Sequence, residues 1–474
     1  MSTQHKTNRD LQYQYSINFG DKKFFISTRV ILISIMILAV VLRLFSAIYQ
    51  GNDVSDLPGV FDQISYDGLA RRVVDGYGFS FAEGHWPATR AGEPTAHWSY
   101  LYTLYLAAIY KIFGTYPVIA RVVQALAAGI IQTILIWRIG TRLFNRTVGL
   151  VAAALNALYI YFFYYAGALV TETFYITCIL WTFDVSFRIV HVDRNSHKVG
   201  QARSRFQWLE LGLAIGLTVL LRQLFLLFLP FLFIWIWWNL RQNESVSWKR
   251  KLHLPALWGL TLSTLVLALM ILPFTIRNYR AFGTFVLLNT NAGFAFFWGN
   301  HPVHGTTFMP LMSYGAQQYH DLIPTNLLPL NEANLDKALL KLGIQFVVDD
   351  PGRFLLLSIS RMKEYFKFWP TSDSGLISNL SRVGSFGISL PFILYGLWVT
   401  LARDWKFKSL EKRWDIVLIL GFILVYTAIH LLTWTLIRYR LPLDVLFLIF
   451  AALAIQRLAE KYLPTFRVSK ENHV

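Results

Sequence analysis

The chain has 474 residues, of which 55% are hydrophobic, 16% aromatic and only 15% charged. This composition excludes an ordinary soluble protein, which would need a more polar surface. The formal net charge of +17 does not indicate a nucleic-acid partner, because the basic residues are dispersed between apolar segments instead of being gathered on one face. Apolar stretches of about 20 residues recur along the sequence, and each is long enough to cross a bilayer as a helix.

These stretches predict an all-α polytopic membrane protein. The apolar run from 207 to 239 is too long for one span, and Arg222 and Gln223 interrupt it, which indicates a tight turn between two short helices. We therefore predict about ten transmembrane helices, at residues 28–48, 117–138, 147–166, 168–188, 207–221, 223–239, 253–275, 385–402, 414–434 and 440–458.

The distribution of Lys and Arg predicts the orientation of these spans. Six segments between and beyond the spans hold 24 of the 44 Lys and Arg, at the N-terminus, 138–146, 188–205, 241–251, 403–413 and the C-terminal tail. Because cytoplasmic loops are enriched in basic residues, both termini are predicted to be cytoplasmic, in a multi-pass plasma or inner membrane protein. Two long loops then face the periplasm or exterior.

The predicted topology divides the chain into five parts. A cytoplasmic N-terminal tail (1–27) precedes an N-terminal membrane module (28–275), which includes the outer loop 49–116. A second outer loop (276–384), C-terminal transmembrane helices (385–458) and a cytoplasmic tail (459–474) follow. Helical spacing of apolar residues predicts an amphipathic surface helix at 61–77. Residues 98–113 are aromatic and apolar but short, which predicts a helix lying in or on the membrane, and 331–368 is predicted to form two more surface helices with Pro351 between them.

Unusual polar residues from separate outer segments are predicted to meet at the outer membrane surface. Charged residues at membrane depth are costly and usually face a cavity or a partner. Several arginines and two carboxylates suit an anionic substrate, since guanidinium groups bind phosphate oxygens and a carboxylate accepts a proton from an attacking hydroxyl. The candidates are Asp67, Glu172, Arg222, Arg277, Asn278, His304, Arg438 and Arg440.

Each candidate also has an ordinary structural interpretation. Asp67 alone would more often be a solvated surface residue, and Glu172 suits the positive N-terminus of a helix. The arginines could extend to the interface as basic anchors. His304 could be a metal ligand, but two nearby histidines without a carboxylate are a weak metal signal.

Several nucleotide-binding motifs are absent from the sequence, which limits the kinds of substrate that the protein can use. The sequence has no Gly-x-x-x-x-Gly-Lys-Ser/Thr phosphate loop, no dinucleotide fingerprint and no cytoplasmic domain large enough for a nucleotide sugar. An activated sugar donor at the outer face would therefore have to be carried by a lipid.

Six short motifs, in order along residues 28–458, resemble one known family. They are YDGLARR (66–72), EPTA (93–96), TET (171–173), the segment 212–222, LPFTIRNY (272–279) followed by GN (299–300), and RYRLPL (438–443). This pattern resembles the multispanning glycosyltransferases of the GT-C fold that use polyprenyl-phosphate sugars. That group contains dolichyl-phosphate-mannose protein mannosyltransferases and lipid A aminoarabinose transferases.

The resemblance implies a function and assigns roles to residues of this chain. The function is inverting transfer of a hexose or pentose from a polyprenyl-phosphate donor to an acceptor hydroxyl or phosphate on the extracytoplasmic face. The acceptor would be an envelope lipid, a glycan or a protein; no nucleic acid takes part, and no cofactor is certain, although a divalent metal remains open. Asp67 matches the family's catalytic base. The remaining roles are donor-phosphate binding by Arg277, Arg438, Arg440 and Arg222, and acceptor or metal binding by Glu172, Asn278, Asn300 and His304.

Two other functions remain open at this point. A lipid-linked saccharide flippase or other transporter would also need buried arginines, and a polysaccharide polymerase or ligase would share the outer-face location. The predicted clustering of polar residues at one face favours chemistry over passage, because transporters bind substrates near the bilayer midplane.

Overall fold

A computed structural model describes residues 14–19, 22–56, 60–191, 205–242, 254–310, 318–372, 374–407 and 409–462. Within these ranges the chain forms two strands and seventeen α-helices. The strands are β1 (Gln14–Phe19) and β2 (Lys22–Ser27), which pair antiparallel as a hairpin directly before the first helix. The hairpin lies inside the predicted N-terminal tail and was not expected from the sequence. Residues 1–13 and 463–474 of the two predicted tails, and the basic connections 192–204 and 243–253, lie outside the described residues.

The helices follow one another with short connections, apart from two long loops. The first nine are α1 (Thr28–Gln50), α2 (Asp62–Val74), α3 (Tyr100–Phe113), α4 (Pro117–Leu143), α5 (Arg146–Leu158), α6 (Ile160–Gly167), α7 (Glu172–His191), α8 (Arg205–Leu221) and α9 (Leu229–Gln242). The other eight are α10 (Leu254–Phe282), α11 (Ala292–Asn300), α12 (Glu332–Asp349), α13 (Pro351–Tyr365), α14 (Leu376–Arg382), α15 (Ile388–Trp398), α16 (Leu410–Leu432) and α17 (Leu441–Tyr462).

Seven helices of the described chain are long and apolar enough to cross a membrane. They are α1, α4, α7, α10, α16, α17 and the continuous helix Leu376–Arg403, which contains α14 and α15. The predicted span 147–166 is the bent pair α5 and α6, whose axes differ by 52°. The predicted spans 207–221 and 223–239 correspond to α8 and α9, which are shorter helices of 17 and 14 residues. The all-α polytopic fold is thus confirmed, and the predicted count of ten is approximate.

Helices α7 and α17 form the centre of the bundle. In each, 78% of the most apolar stretch is buried inside the protein, compared with 22% in α1. Helix α17 packs against α5, α7 and α15. Gly396 of α15 allows this close approach, because a Cβ atom there would collide with the carbonyl of Phe450 in α17. Since hydrocarbon solvates apolar side chains, such close van der Waals packing is a main source of helix association in a membrane.

The helices predicted in the two long loops are present, and the two loops contact each other. Helices α2 and α3 lie between α1 and α4, whereas α11, α12 and α13 belong to the second loop. Pro351 separates α12 from α13 as expected, and the Asp350 side chain caps α13 by accepting a hydrogen bond from the Arg353 amide (2.9 Å). Glu332 at the start of α12 accepts hydrogen bonds from the Thr89 hydroxyl and the Ala96 amide of the first loop, both at 2.8 Å. These contacts bring both loops to the same end of the bundle.

Candidate active site

A buried carboxylate marks the end of the bundle where the two loops meet. Glu172 is the first residue of α7, and its side chain is only 1% exposed. It accepts a hydrogen bond from Nη2 of Arg222 at 2.5 Å, and Nε of Arg222 donates to the Thr171 hydroxyl at 3.0 Å. Arg222 lies in the tight turn that follows α8, where the interruption of the apolar run predicts a break. Residues 50 positions apart in sequence therefore form a buried ion pair.

A second arginine connects this pair to the first loop. Arg438 lies in a 3-10 turn just before α17. Its Nη2 donates to Oδ2 of Asp62 at 2.7 Å, and its Nε lies 3.6 Å from Oε1 of Glu172, within ion-pair distance but beyond a hydrogen bond. Arg438 is 7% exposed, and its buried Nε and Nη1 atoms have no hydrogen-bond acceptor in the described chain. Buried, unpaired guanidinium donors are costly unless a ligand supplies the acceptors.

Asp62, Glu172, Arg222 and Arg438 form what we call the α7 cluster. Its four members come from α2, α7, the turn after α8 and the turn before α17. Aromatic rings surround it, with the Arg222 and Arg438 guanidinium groups 5.2 and 5.3 Å from the centre of the Tyr439 ring. Burial raises the pKa of Tyr66, and the charge of Asp62 raises it further, so its hydroxyl stays neutral beside the cluster.

The cluster combines a general base and an anion-binding group. The Asp62 side chain is 27% exposed, so a substrate hydroxyl can reach it, whereas Glu172 is enclosed. The carboxylate of Asp62 can accept a proton, and the free donors of Arg438 can bind a negatively charged oxygen next to it. Glu172 holds both arginines in place, because it is within ion-pair distance of each.

Comparisons with known proteins agree with this architecture. Residues 99–276 match the family model described as dolichyl-phosphate-mannose-protein mannosyltransferase. The structure is similar to archaeal oligosaccharyltransferase AglB from Archaeoglobus fulgidus in complex with an inhibitory peptide and a dolichol-phosphate. The TM-score of that match is 0.55 at 14% identity, over 94% of this chain and 52% of that chain. The apo form of the A. fulgidus oligosaccharyltransferase gives a TM-score of 0.53 at 14% identity, over 91% and 51% of the two chains.

This chain has the GT-C fold. It spans about half the length of the oligosaccharyltransferase structures that it matches. ArnT from Cupriavidus metallidurans bound to undecaprenyl phosphate is similar at a TM-score of 0.48 and 13% identity, over 91% of this chain and 61% of that chain, a likeness too weak to establish more. No curated protein sequence matches the chain significantly.

Asp67, the base predicted from the sequence, lies on a different side of α2 in this GT-C fold. Its carboxylate accepts hydrogen bonds from Nε of Arg71 at 2.7 Å and from the Tyr110 hydroxyl at 2.6 Å. Asp67 is buried, but among the described residues no ion pair joins it to Arg277, Arg438 or Arg440. Positions 62 and 67 are separated by about 140° around a helix, which explains why only one of the two carboxylates faces Arg438.

Two of the four predicted phosphate-binding arginines have protein partners elsewhere. Arg440, the last residue of the turn before α17, is fully buried, and its Nε donates to Asp444 of α17 at 2.8 Å. Arg277 donates to the carbonyl of Thr95 at 2.9 Å and to the carbonyl of Phe79 at 3.2 Å, so it fastens the first loop onto α10. The structure thus brings Arg222 and Arg438 into the α7 cluster, but not Arg277 or Arg440.

The predicted amide and imidazole ligands also make structural contacts. Asn278 donates to the carbonyl of Leu288 at 2.8 Å, and Asn300 accepts a hydrogen bond from Arg361 at 2.8 Å. His304 contacts the carbonyl of Trp298 through Nε2 at 2.8 Å and the Met309 amide through Nδ1 at 3.4 Å. Burial lowers the pKa of His304 to about 4, so its ring is neutral at pH 7. Among the described side chains, no group of three or more His, Cys, Asp or Glu is placed to hold a metal ion.

Asp62 is the member of the cluster that sequence reasoning missed. It is the first residue of α2 and shares a helix face with Tyr66 and Leu69, which are both buried. The spacing of these three positions is a helical signal that was available in the sequence. What the sequence did not show is the partner, because Arg438 is 376 residues away.

Proposed function

We propose that this protein is a membrane glycosyltransferase that moves a sugar from a polyprenyl-phosphate donor to an acceptor on the extracytoplasmic face. The observation that carries the proposal is the α7 cluster, where the carboxylate of Asp62 lies beside the buried and unsatisfied donors of Arg438. The GT-C fold and the family match over residues 99–276 support the reaction class.

The proposed reaction is a single displacement at the anomeric carbon. The acceptor oxygen attacks that carbon and its proton passes to the Asp62 carboxylate, while the bond to the carrier phosphate breaks and the phosphate oxygen keeps the electron pair. One new bond replaces one broken bond on opposite faces of the sugar, so the configuration inverts. A positioned base of this kind contributes roughly 10²- to 10⁴-fold to the rate.

Arg438 is the proposed ligand of the leaving phosphate. Its free Nη1 donor can hydrogen-bond to a phosphate oxygen without breaking the 2.7 Å contact with Asp62, while Nε faces Glu172. Arg222 pairs with Glu172, and its proposed role is to position the Glu172 carboxylate beside Arg438. Donors fixed before the reaction, in a site with little water, stabilise developing charge efficiently.

The orientation of the site is part of the proposal. Arg138, Arg142 and Arg188 lie at the end of the bundle opposite the α7 cluster, and the positive-inside rule assigns an end rich in basic residues to the cytoplasm. The cluster and the two long loops then face the periplasm or exterior. A cysteine introduced in the first loop, for example by Glu83→Cys at an exposed position, should react with a membrane-impermeant maleimide in intact cells. If the cysteine were labelled only after cell lysis, the first loop would face the cytoplasm and the proposed orientation would be wrong.

The function is tested with purified protein in liposomes. The substrates are a panel of undecaprenyl-phosphate hexoses and pentoses labelled in the sugar, with envelope lipids, glycans and peptides as acceptors. Transfer predicts a new glycosidic bond together with one equivalent of free undecaprenyl phosphate. Movement of the intact labelled lipid between leaflets, without new linkages, would instead identify a flippase and contradict the proposal.

A further inference from the structure

A second group of arginines lies at the other end of α7. A cavity of about 300 Å³ is lined by Trp137, Arg138, Ile139, Thr141, Arg142, Asp184, Phe187 and Arg188. Asp184 is about 18 Å from Glu172 along α7, at 1.5 Å per residue. This cavity, which we call the α4–α7 cavity, is therefore separate from the proposed active site.

One carboxylate in the cavity is shared by two guanidinium groups. Asp184 is 6% exposed, its Oδ2 accepts a hydrogen bond from Nε of Arg188 at 3.0 Å, and its Oδ1 forms an ion pair with Nε of Arg138, also at 3.0 Å. Arg188 also pairs with Glu210 of α8. Asp415 of α16 is paired with His191 at 2.9 Å, and the ammonium group of Lys412 donates to the carbonyl of Phe144 at 3.1 Å. The acidic groups around the cavity are thus already engaged by their own partners.

The third arginine of the cavity has no such partner. Arg142 makes no side-chain hydrogen bond and no ion pair within the described chain, although the charges of Asp415 and Asp184 attract it over a longer distance. Its guanidinium lies 5.8 Å from the centre of the Phe187 ring. The buried indole Nε1 of Trp137 is a second donor in the same lining without an acceptor. A guanidinium carries five N–H donors and no acceptor, so an anion with several oxygens would satisfy both groups.

We propose that the α4–α7 cavity binds a phosphate group, and that the phosphate belongs to an anionic phospholipid of the membrane surface opposite the α7 cluster. The arginines supply charge and forked donors for the phosphate. Trp137, Ile139 and Phe187 give the same cavity an apolar wall that suits the glycerol and upper acyl region of a lipid. Basic pockets between transmembrane helices commonly hold lipid head groups in this way.

The proposal is tested by measuring lipid binding to the full-length protein. Native mass spectrometry of protein in neutral detergent would be titrated with phosphatidylglycerol, phosphatidylcholine or inorganic phosphate. The expected result is a saturable phosphatidylglycerol complex, with weaker binding of phosphatidylcholine. Stronger binding of inorganic phosphate than of phosphatidylglycerol would overturn the lipid assignment. Equal binding of both lipids, which carry the same phosphodiester but differ in net charge, would overturn the preference for an anionic lipid.

Substitutions locate the lipid in the cavity. Arg142→Gln should weaken phosphatidylglycerol binding about tenfold, since a charge-assisted hydrogen bond is worth roughly that factor. Arg457→Gln is the matched control, because it removes an exposed arginine at the same end of the bundle and should leave binding unchanged. Arg142→Lys keeps the positive charge but loses the paired guanidinium donors, so the loss of phosphatidylglycerol affinity should be smaller than in Arg142→Gln. This second variant keeps the test usable if Arg142→Gln folds poorly. Equal losses in Arg142→Gln and Arg457→Gln would contradict a specific site.

Discussion

Helix α2 carries two carboxylates, five positions apart, that make very different contacts. Asp67 pairs with Arg71, one turn further along the same helix, whose side chain is 46% exposed. Asp62 pairs with the buried side chain of Arg438, which is 376 residues away and completes a cluster with Glu172. The first pair needs only a helix, whereas the second exists only when distant parts of the chain are assembled.

This difference separates a local contact from a candidate catalytic one. A pair one helical turn apart whose arginine is largely exposed contributes about 0.3–0.5 kcal/mol to stability. Removing one partner of a buried pair typically costs about 3–5 kcal/mol, because the other charge remains buried without compensation. Asp62 and Arg438 are held in this costly arrangement with free donors beside them, as expected for a site that binds an anion.

The largest expected effect is that of Asp62→Asn. The amide has the shape of the carboxylate but cannot accept the proton, so turnover should fall by roughly 10²- to 10⁴-fold. Initial rates of sugar transfer in liposomes measure this directly, provided that they are recorded below the melting temperature of the variant, since loss of the Asp62 charge leaves Arg438 without its partner. If Asp62→Asn transferred sugar at the normal rate, Asp62 would not be the catalytic base.

Arg438→Lys should have the next largest effect. A lysine retains the positive charge but cannot bind Asp62 and a phosphate with forked donors. Loss of such a donor should reduce turnover by about 10²-fold. The matched variant is Arg440→Lys, since Arg440 contacts Asp444 and lies outside the α7 cluster. If Arg440→Lys lost more transfer activity than Arg438→Lys at equal stability, Arg440 and not Arg438 would be the ligand of the phosphate.

Arg277→Gln should affect stability more than chemistry. The guanidinium donates to the carbonyls of Thr95 and Phe79 and to the hydroxyl of Tyr100, and losing these bonds should cost about 1–3 kcal/mol. Thermal unfolding in detergent would measure the loss, while kcat below the unfolding temperature should change little. A collapse of kcat without any shift in the melting temperature would restore Arg277 as a substrate ligand.

Asp67→Asn should have the smallest effect. It weakens the Arg71 contact and the hydrogen bond from the Tyr110 hydroxyl, at a cost of about 1 kcal/mol. Transfer should remain close to normal, in contrast to Asp62→Asn. If the two variants exchanged these results, the role predicted for Asp67 from the sequence would be correct and Asp62 would not be the base.

Local features of this protein could be read from the sequence. The amphipathic segment predicted at 61–77 is α2, and the two helices predicted at 331–368 are separated at Pro351, because helical spacing and proline act over a few residues. Glu172, Arg222 and Arg438 were selected as unusual charges next to apolar runs, and the structure brings them together. The membrane class followed from apolar length alone.

Features that depend on assembly could not be read in the same way. The choice between Asp62 and Asp67 depends on how α2 is rotated against the bundle, and one sequence does not give that rotation. Arg277 and Arg440 resemble site residues in sequence, but their partners are carbonyls and Asp444, which only the folded chain identifies. The bend between α5 and α6 and the start of α9 at Leu229 were likewise not predicted from the sequence.

The most direct test of the central claim is a cryo-electron microscopy structure of the purified protein with undecaprenyl phosphate. We predict that the phosphate lies in hydrogen-bond contact with the Nη1 atom of Arg438, next to Asp62. A phosphate bound beside Asp67 and Arg71, away from the α7 cluster, would contradict the proposed active site.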